Sequence, residues 1–285
     1  MMRSHPDLPT EHLRLAQVVA TAWLFTGQSV MWPAQTLLWT GALAVISSAL
    51  CVAIVFSPYT RACCLCLASF IGLEIALNPT WFSHNRLFVA ALLLMVSLSS
   101  RRVSVLPRWQ VALVFLVAAL DKLSSPAWRD GRFMASFIAE LARFGLMWAP
   151  GGKTGTPNWL AQALNEAGTR EVWMVVGLFA IAVELFLAGC FLFGTRFGAG
   201  LNVTFHVMVY AVTGSTMGQF FFAGVACSLL LVREEELPSA WVAVLATVAL
   251  AGPWTHRFLP LGMLVVLWLV RRHHAHVSRV HRDQR

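Results

Sequence analysis

Residues 112–131 read ALVFLVAALDKLSSPAWRDG and place an acid and an amine, Asp121 and Lys122, directly after an uncharged run. An apolar run that ends in charged residues is typical of a helix that leaves a membrane at its last turn. The amine is unusual in this chain, because Lys153 is the only other lysine and every remaining strong base is arginine. A lysine at this position therefore calls for an explanation.

The composition of the whole chain predicts an all-α membrane protein. Of its 285 residues, 58% are hydrophobic and 12% are charged, and the mean hydropathy is +0.68, whereas a soluble domain carries about 25% charged residues. Apolar stretches recur along almost the entire sequence, interrupted by short loops and one long one. We therefore predict a single membrane domain over residues 1–270 and a basic tail over residues 271–285.

Windows of about 20 apolar residues predict a polytopic bundle of nine or ten membrane-spanning helices, the count depending on the last window. The windows lie near residues 13–32, 35–57, 62–78, 86–100, 108–124, 170–193, 198–214, 216–232, 238–254 and 258–270.

Arginine is concentrated on one side of the predicted bundle. If the N-terminus is cytoplasmic, the short outer loops hold only Arg86 and Arg257, and most other arginines, including those of the tail, lie inside. Because basic loops stay on the cytoplasmic side, we predict a multi-pass protein of the plasma (inner) membrane with both termini cytoplasmic. The basic tail is expected to face anionic membrane lipid, and no nucleic-acid partner is predicted.

The long outer loop, residues 125–169, contains an amphipathic segment. Apolar residues recur there at three- and four-residue steps from Phe133 to Phe144, and Ser125 and Pro126 provide a helix-start signal. We predict an interfacial helix that lies as a lid over the outer opening of the bundle. The alternative is a helix that packs only to cover loops.

Titratable residues inside apolar spans are the candidate site residues, because charge within a membrane costs about 2.5 to 3.5 kcal/mol per residue and usually marks function. They are Glu74, His84, Lys122, Glu184 and His206, which we expect to share one outward-opening cavity. Each also has a structural interpretation, such as an interhelical hydrogen bond or a lysine that reaches the headgroups. No metal site is predicted, because all six cysteines lie in apolar runs, where cysteine behaves as a small hydrophobe.

Three stretches resemble the HTTM (horizontally transferred transmembrane) domain, the membrane part of vitamin K-dependent gamma-carboxylase. The first is LPRWQVALVFLVAALDKLSSPAWRDG, in which Lys122 and Leu123 end an apolar helix and Trp128 and Gly131 follow. The second is TWFSHNRLF, with Trp81 and His84. The third is VELFLAGCFLFGTRFGAGLNVTFHVMVY, with Glu184, Phe205 and His206.

The resemblance implies a chemical role for the lysine. In the carboxylase a lysine deprotonates vitamin K hydroquinone, O2 converts the quinol to its epoxide, and the strong base so formed drives carboxylation with CO2. Lys122 occupies the position of that base, and His84 and His206 fall where the family places cavity-lining histidines. Such a base needs a neutral amine, which burial in apolar surroundings favours and which arginine cannot provide.

The sequence leaves two classes of function open. The first is an HTTM protein that binds a small lipophilic molecule such as a quinol, with Lys122, His84 and His206 catalytic and with Glu184, Trp81, Trp128 and Glu74 contacting the substrate. If it is an enzyme, it is carboxylase-like or quinol-oxidising. The second is a non-catalytic member that binds lipid or peptide, for example in toxin immunity, and a transporter comes third.

Overall fold

The structure is a computed structural model that describes residues 8–26, 37–77, 84–100, 103–144, 159–213, 218–232 and 236. The two last predicted spans, the basic tail and Trp81 lie outside the described residues.

The described part of the chain is all-helical and contains no β-strand, which confirms the predicted all-α class. Its helices are α1 (Thr10–Thr26), α2 (Leu37–Phe56), α3 (Thr60–Leu77), α4 (His84–Leu98), α5 (Leu106–Ser124), α6 (Pro126–Arg129), α7 (Arg132–Phe144), α8 (Trp159–Ala167), α9 (Arg170–Phe193), α10 (Phe197–Thr213) and α11 (Gly218–Cys227), followed by a 3-10 turn at Ser228–Leu230.

Among the described residues, each predicted span up to residue 232 contains a helix. By length and composition, one described helix, α9, can cross a membrane on its own. Shorter apolar helices cover Val45–Phe56, Arg86–Leu98 and Phe197–Val209. The predicted count of nine or ten spans therefore stays a prediction.

Large apolar side chains cover much of the outer surface of the bundle. On α9, Val175 and Phe179 are each 61% exposed and Phe193 is 78% exposed, and α5 presents Leu113 and Val117 in the same way. Soluble monomers rarely expose contiguous apolar surface on this scale. The outward faces of these helices therefore resemble lipid-facing faces rather than water-facing ones.

The interior contains two apolar clusters. The larger one joins α1 to α5 and α9 to α11 around residues such as Leu15, Leu92 and Phe191. The smaller one lies under the long outer loop, where Ile138 and Leu141 of α7 pack with Ala161 of α8 and Trp173 of α9. Protein thus covers the apolar face of α7, which agrees with the alternative prediction of a helix that packs to cover loops. The unpredicted helix α8 supplies part of that cover.

The lid segment is two helices rather than the single predicted one. Ser125 and Pro126 begin the short α6, and the chain then turns at Gly131, whose φ of +78° lies in the left-handed region that glycine tolerates. The backbone N–H of Arg132 donates to Asp130 at 3.1 Å, and its guanidinium donates at 2.7 Å. These bonds hold the pKa of Asp130 below its usual range and fix the start of α7.

Gly177 is the point at which α6 meets α9. A Cβ atom at this position would lie 2.8 Å from the carbonyl oxygen of Trp128, which is closer than any side-chain carbon comes to a backbone oxygen. The absence of a side chain at Gly177 therefore brings α6 against α9.

The substitution Gly177→Ala is expected to lower the free energy of unfolding by about 1–3 kcal/mol, because the added methyl group forces the two backbones apart. Gly189→Ala on the same helix is the matched control, since a Cβ there meets nothing within 4 Å, and it should leave stability unchanged or raise it. Thermal unfolding of both variants in detergent measures the difference. Equal midpoints would contradict the close approach.

Candidate functional site

An ion pair between α5 and α9 is the centre of the candidate site. Nζ of Lys122 lies 2.6 and 2.7 Å from the two carboxylate oxygens of Glu184, so the amine donates to both. The side chains are 18% and 8% exposed, respectively. Both charges are therefore largely withdrawn from solvent and depend on each other for neutralisation.

The register of two antiparallel helices brings these side chains together. Phe115 lies seven residues before Lys122 on α5, and Phe191 lies seven residues after Glu184 on α9. The two phenylalanine rings stack with their centroids 5.9 Å apart. Seven residues are two helical turns, so the aromatic contact and the ion pair lie on one shared seam. α5 and α9 form the most extensive helix pairing in the described part of the chain.

Trp128 connects the amine to the lid helices. Its ring centroid lies 5.2 Å from Nζ of Lys122, within the range of a cation–π contact. The same ring stacks on Phe133 at 4.3 Å, and Phe133 stacks on Phe137 at 5.9 Å. Three nearly parallel rings therefore run from the amine along one side of α7, and the sequence analysis found the first of them.

The sequence did not predict the direct contact between Glu184 and Lys122. We expected an amine kept neutral by apolar surroundings, with Glu184 a separate substrate contact. Glu184 instead hydrogen-bonds to the amine through both carboxylate oxygens, so the surroundings of Lys122 are not wholly apolar, and the neutral amine stays a prediction. The neighbouring carboxylate of Asp121 is exposed and takes no part in this contact.

His206 is buried in α10 at another level of the bundle. Its ring lies 6.1 Å from that of Phe115 and 5.5 Å from that of Phe205, and its Nδ1 is 2.8 Å from the carbonyl oxygen of Asn202. Phe115 precedes Lys122 by two turns, about 10 Å along α5. His206 therefore lies beneath the ion pair rather than beside the amine.

Gly224 of α11 holds the other side of the imidazole. A Cβ atom at Gly224 would overlap the His206 ring, so only glycine allows α11 to approach this closely. Asn202 also bonds to α11, because its Nδ2 donates to the carbonyl oxygen of Gly224 at 2.7 Å and to Ser228 at 2.8 Å. The position of His206 is thus set by neighbours on both sides.

Glu74 belongs to a different ion pair. Its Oε2 lies 3.6 Å from Nη1 of Arg86, and the side chains are 9% and 3% exposed. The sequence analysis counted Arg86 among the outer-loop arginines, yet it is the third residue of α4 and is buried. Its position at the start of an apolar span, two residues after His84, could have indicated that Arg86 is part of the helix. Of the five predicted site residues, the four with described side chains belong to two ion pairs and one buried imidazole.

His84 begins α4, but its side chain lies outside the described residues, so the structure does not report where this ring points. In the part of the chain that the structure describes, no three histidine, cysteine or acidic side chains gather as a metal ion would require.

Comparison with known protein families, with curated proteins and with solved structures finds no match. The resemblance to the HTTM domain therefore stays a prediction from the three stretches that carry it.

Removing one member of the Lys122–Glu184 pair is expected to destabilise the protein more than removing both. Lys122→Met and Glu184→Met should each lower the free energy of unfolding by about 3 kcal/mol, because each leaves a buried charge without its partner. The double variant should recover part of this loss. The measurement is a double-mutant cycle of unfolding free energies in detergent.

Arg132→Met is the control for this cycle. Arg132 pairs with Asp130, but its side chain is 66% exposed, so its loss should cost less than about 1 kcal/mol. Additive effects of the two substitutions in the Lys122–Glu184 cycle would show that the pair is not coupled.

Proposed function

We propose that this chain is a multi-pass membrane protein of the HTTM type that binds a small lipophilic molecule, such as a quinol, at the Lys122–Glu184 pair. The observation that carries the proposal is the contact of one amine with both oxygens of a buried carboxylate, between two helices whose outward faces are apolar. Buried charge in apolar helices is costly and usually functional.

Membrane embedding is supported by the exposed apolar faces of α5 and α9 together with the length of α9. In the proposed topology the N-terminus is cytoplasmic, and α5 therefore ends on the outer side. The lid helices α6 and α7 then lie at the outer surface of the plasma membrane. Because Arg86 is buried, the short outer loops keep only one of the two arginines assigned to them. Few basic residues outside is the pattern expected for this orientation.

The ion pair suggests how Lys122 can act as a general base with Glu184 as its proton acceptor. One ammonium proton passes to Glu184, whose oxygen is 2.6 Å away. The amine thus freed accepts the proton of a bound hydroxyl group. The net transfer is from the substrate to Glu184 through Lys122. An arginine does not release its proton in this way.

The stacked rings of Trp128 and Phe133 place aromatic carbon surface next to the amine, which suits an apolar ring such as that of a naphthoquinol. The reaction that the resemblance implies is oxidation of the quinol by O2, with CO2 as the carboxyl source if the chain is carboxylase-like. In this proposal His206 supports the site from the level of Phe115.

The second candidate function is ligand binding without catalysis, for lipid or peptide recognition or toxin immunity. The observation in its favour is that Lys122 and Glu184 satisfy each other's hydrogen bonds and connect α5 to α9. This structural role explains both residues without a reaction. An assay for turnover separates the two candidates.

Purified protein mixed with a reduced naphthoquinone is expected to consume O2, and Lys122→Arg is expected to fold normally and lose at least 90% of the rate, about a tenfold change. Asp121→Asn is the matched control, because this neighbouring acid is exposed, and it should retain activity. An oxygen electrode measures the rate. If the wild-type protein binds quinols without turnover, the enzyme function is rejected and ligand binding without catalysis is supported.

The proposed topology predicts that the protein resists extraction from membranes by alkaline carbonate. A green fluorescent protein fused after residue 285 should fluoresce, because it lies in the cytoplasm, and alkaline phosphatase inserted at Asp130 should be active outside. The opposite pattern of reporter activity would overturn the orientation.

A further inference from the structure

The pair formed by Glu74 and Arg86 leaves hydrogen-bonding capacity unused. Nη1 of Arg86 is buried and makes no hydrogen bond in the described part of the chain. Its distance of 3.6 Å from Glu74 exceeds that of a direct hydrogen bond. A guanidinium group carries five N–H donors. Arg86 therefore has at least one buried donor nitrogen available to an acceptor oxygen.

Trp23 forms an apolar wall beside this donor. The guanidinium carbon of Arg86 lies 5.9 Å from the centroid of the Trp23 ring, and Trp23 is 4% exposed. The indole N–H is already used, since it donates to the hydroxyl group of Ser47 at 3.0 Å. The ring is thereby held in place, and it presents carbon surface rather than a polar group to its surroundings.

We propose that Arg86, Glu74 and Trp23 form a second binding site, which accepts an uncharged carbonyl oxygen of a lipophilic molecule. The arginine and the glutamate cancel in charge, so the site has no net charge that would attract an anion. An anion bound to Nη1 would also lie close to the Glu74 carboxylate and be repelled by it. A neutral acceptor completes the hydrogen bonding without this repulsion.

This site is separate from the Lys122–Glu184 pair. It is built by α1, α3 and α4, whereas the other pair is built by α5 and α9. The inference does not depend on the proposed quinol chemistry, and it adds Arg86 and Trp23 to the residues considered functional. The carbonyl group can belong to a quinone or to the ester of a membrane lipid, and matched probes distinguish these two sources.

The test compares probes that differ only in the carbonyl group. Protein in dodecyl maltoside is titrated with 2-methyl-1,4-naphthoquinone and, as its control, 2-methylnaphthalene. A second comparison uses ester-linked and ether-linked phosphatidylcholine, and decanoate serves as the anionic probe. Isothermal titration calorimetry gives the affinity of each.

The informative variant replaces both charged residues, as E74M/R86M. Removing the two charges together avoids leaving one of them buried alone, so the fold is expected to survive, and its thermal unfolding verifies this. The affinity for the carbonyl-bearing probe should fall at least tenfold in E74M/R86M. It should be retained in the variant R132M, which removes an exposed ion pair that belongs to neither proposed site.

Binding of the naphthoquinone assigns the site to a quinone, and binding of the ester lipid but not of its ether analogue assigns it to a lipid. Three results would overturn the proposal: an affinity unchanged in E74M/R86M, equal binding of 2-methylnaphthalene, or a preference for decanoate. If only the proposed quinol site at Lys122 is wrong, O2 consumption is absent but binding that depends on Arg86 remains. Failure of the proposed function and failure of this inference are therefore distinguishable.

Discussion

The antiparallel packing of α5 against α9 determines where charge can be held inside this bundle. The stacked rings of Phe115 and Phe191 and the Lys122–Glu184 pair lie two helical turns apart on the same seam. A shift of one helix by a single turn would separate both contacts at once. The amine therefore keeps its carboxylate only as long as the aromatic contact keeps its register, and apolar packing positions the polar group.

In the described interior, buried charges occur in two ion pairs. Lys122 meets Glu184 closely, whereas Arg86 and Glu74 stand farther apart and leave a donor unused. The difference has a chemical meaning. In the two proposals the tight pair passes a proton between its members, whereas the loose pair keeps the arginine proton and offers hydrogen-bond donors. The two proposed sites thus differ in chemistry although each is built on an ion pair.

The sequence predicted the helices of the spans well, because long apolar runs leave little choice of structure. It also identified Lys122, Glu184, Glu74 and His206, since each is a titratable residue in an apolar run. It did not predict which of them meet, because pairing across 62 residues depends on helix register and not on local pattern.

Other local features were missed for identifiable reasons. The helix α8 is short and follows a segment rich in glycine and proline, which indicates a loop. The break between α6 and α7 did have a signal, since Asp130 and Gly131 form a dipeptide typical of turns. Arg86 was assigned to a loop because it stands at the first position of a predicted span, where arginines commonly lie just outside the membrane.

The three stacked rings of Trp128, Phe133 and Phe137 join the long outer segment mechanically to the ammonium group. Tilting α7 outward would slide Phe133 off the indole and loosen the indole over the amine. Water would then reach the pair and weaken its attraction, because screening grows with the local dielectric constant. The position of α7 and the surroundings of the amine are consequently coupled through one continuous stack of rings.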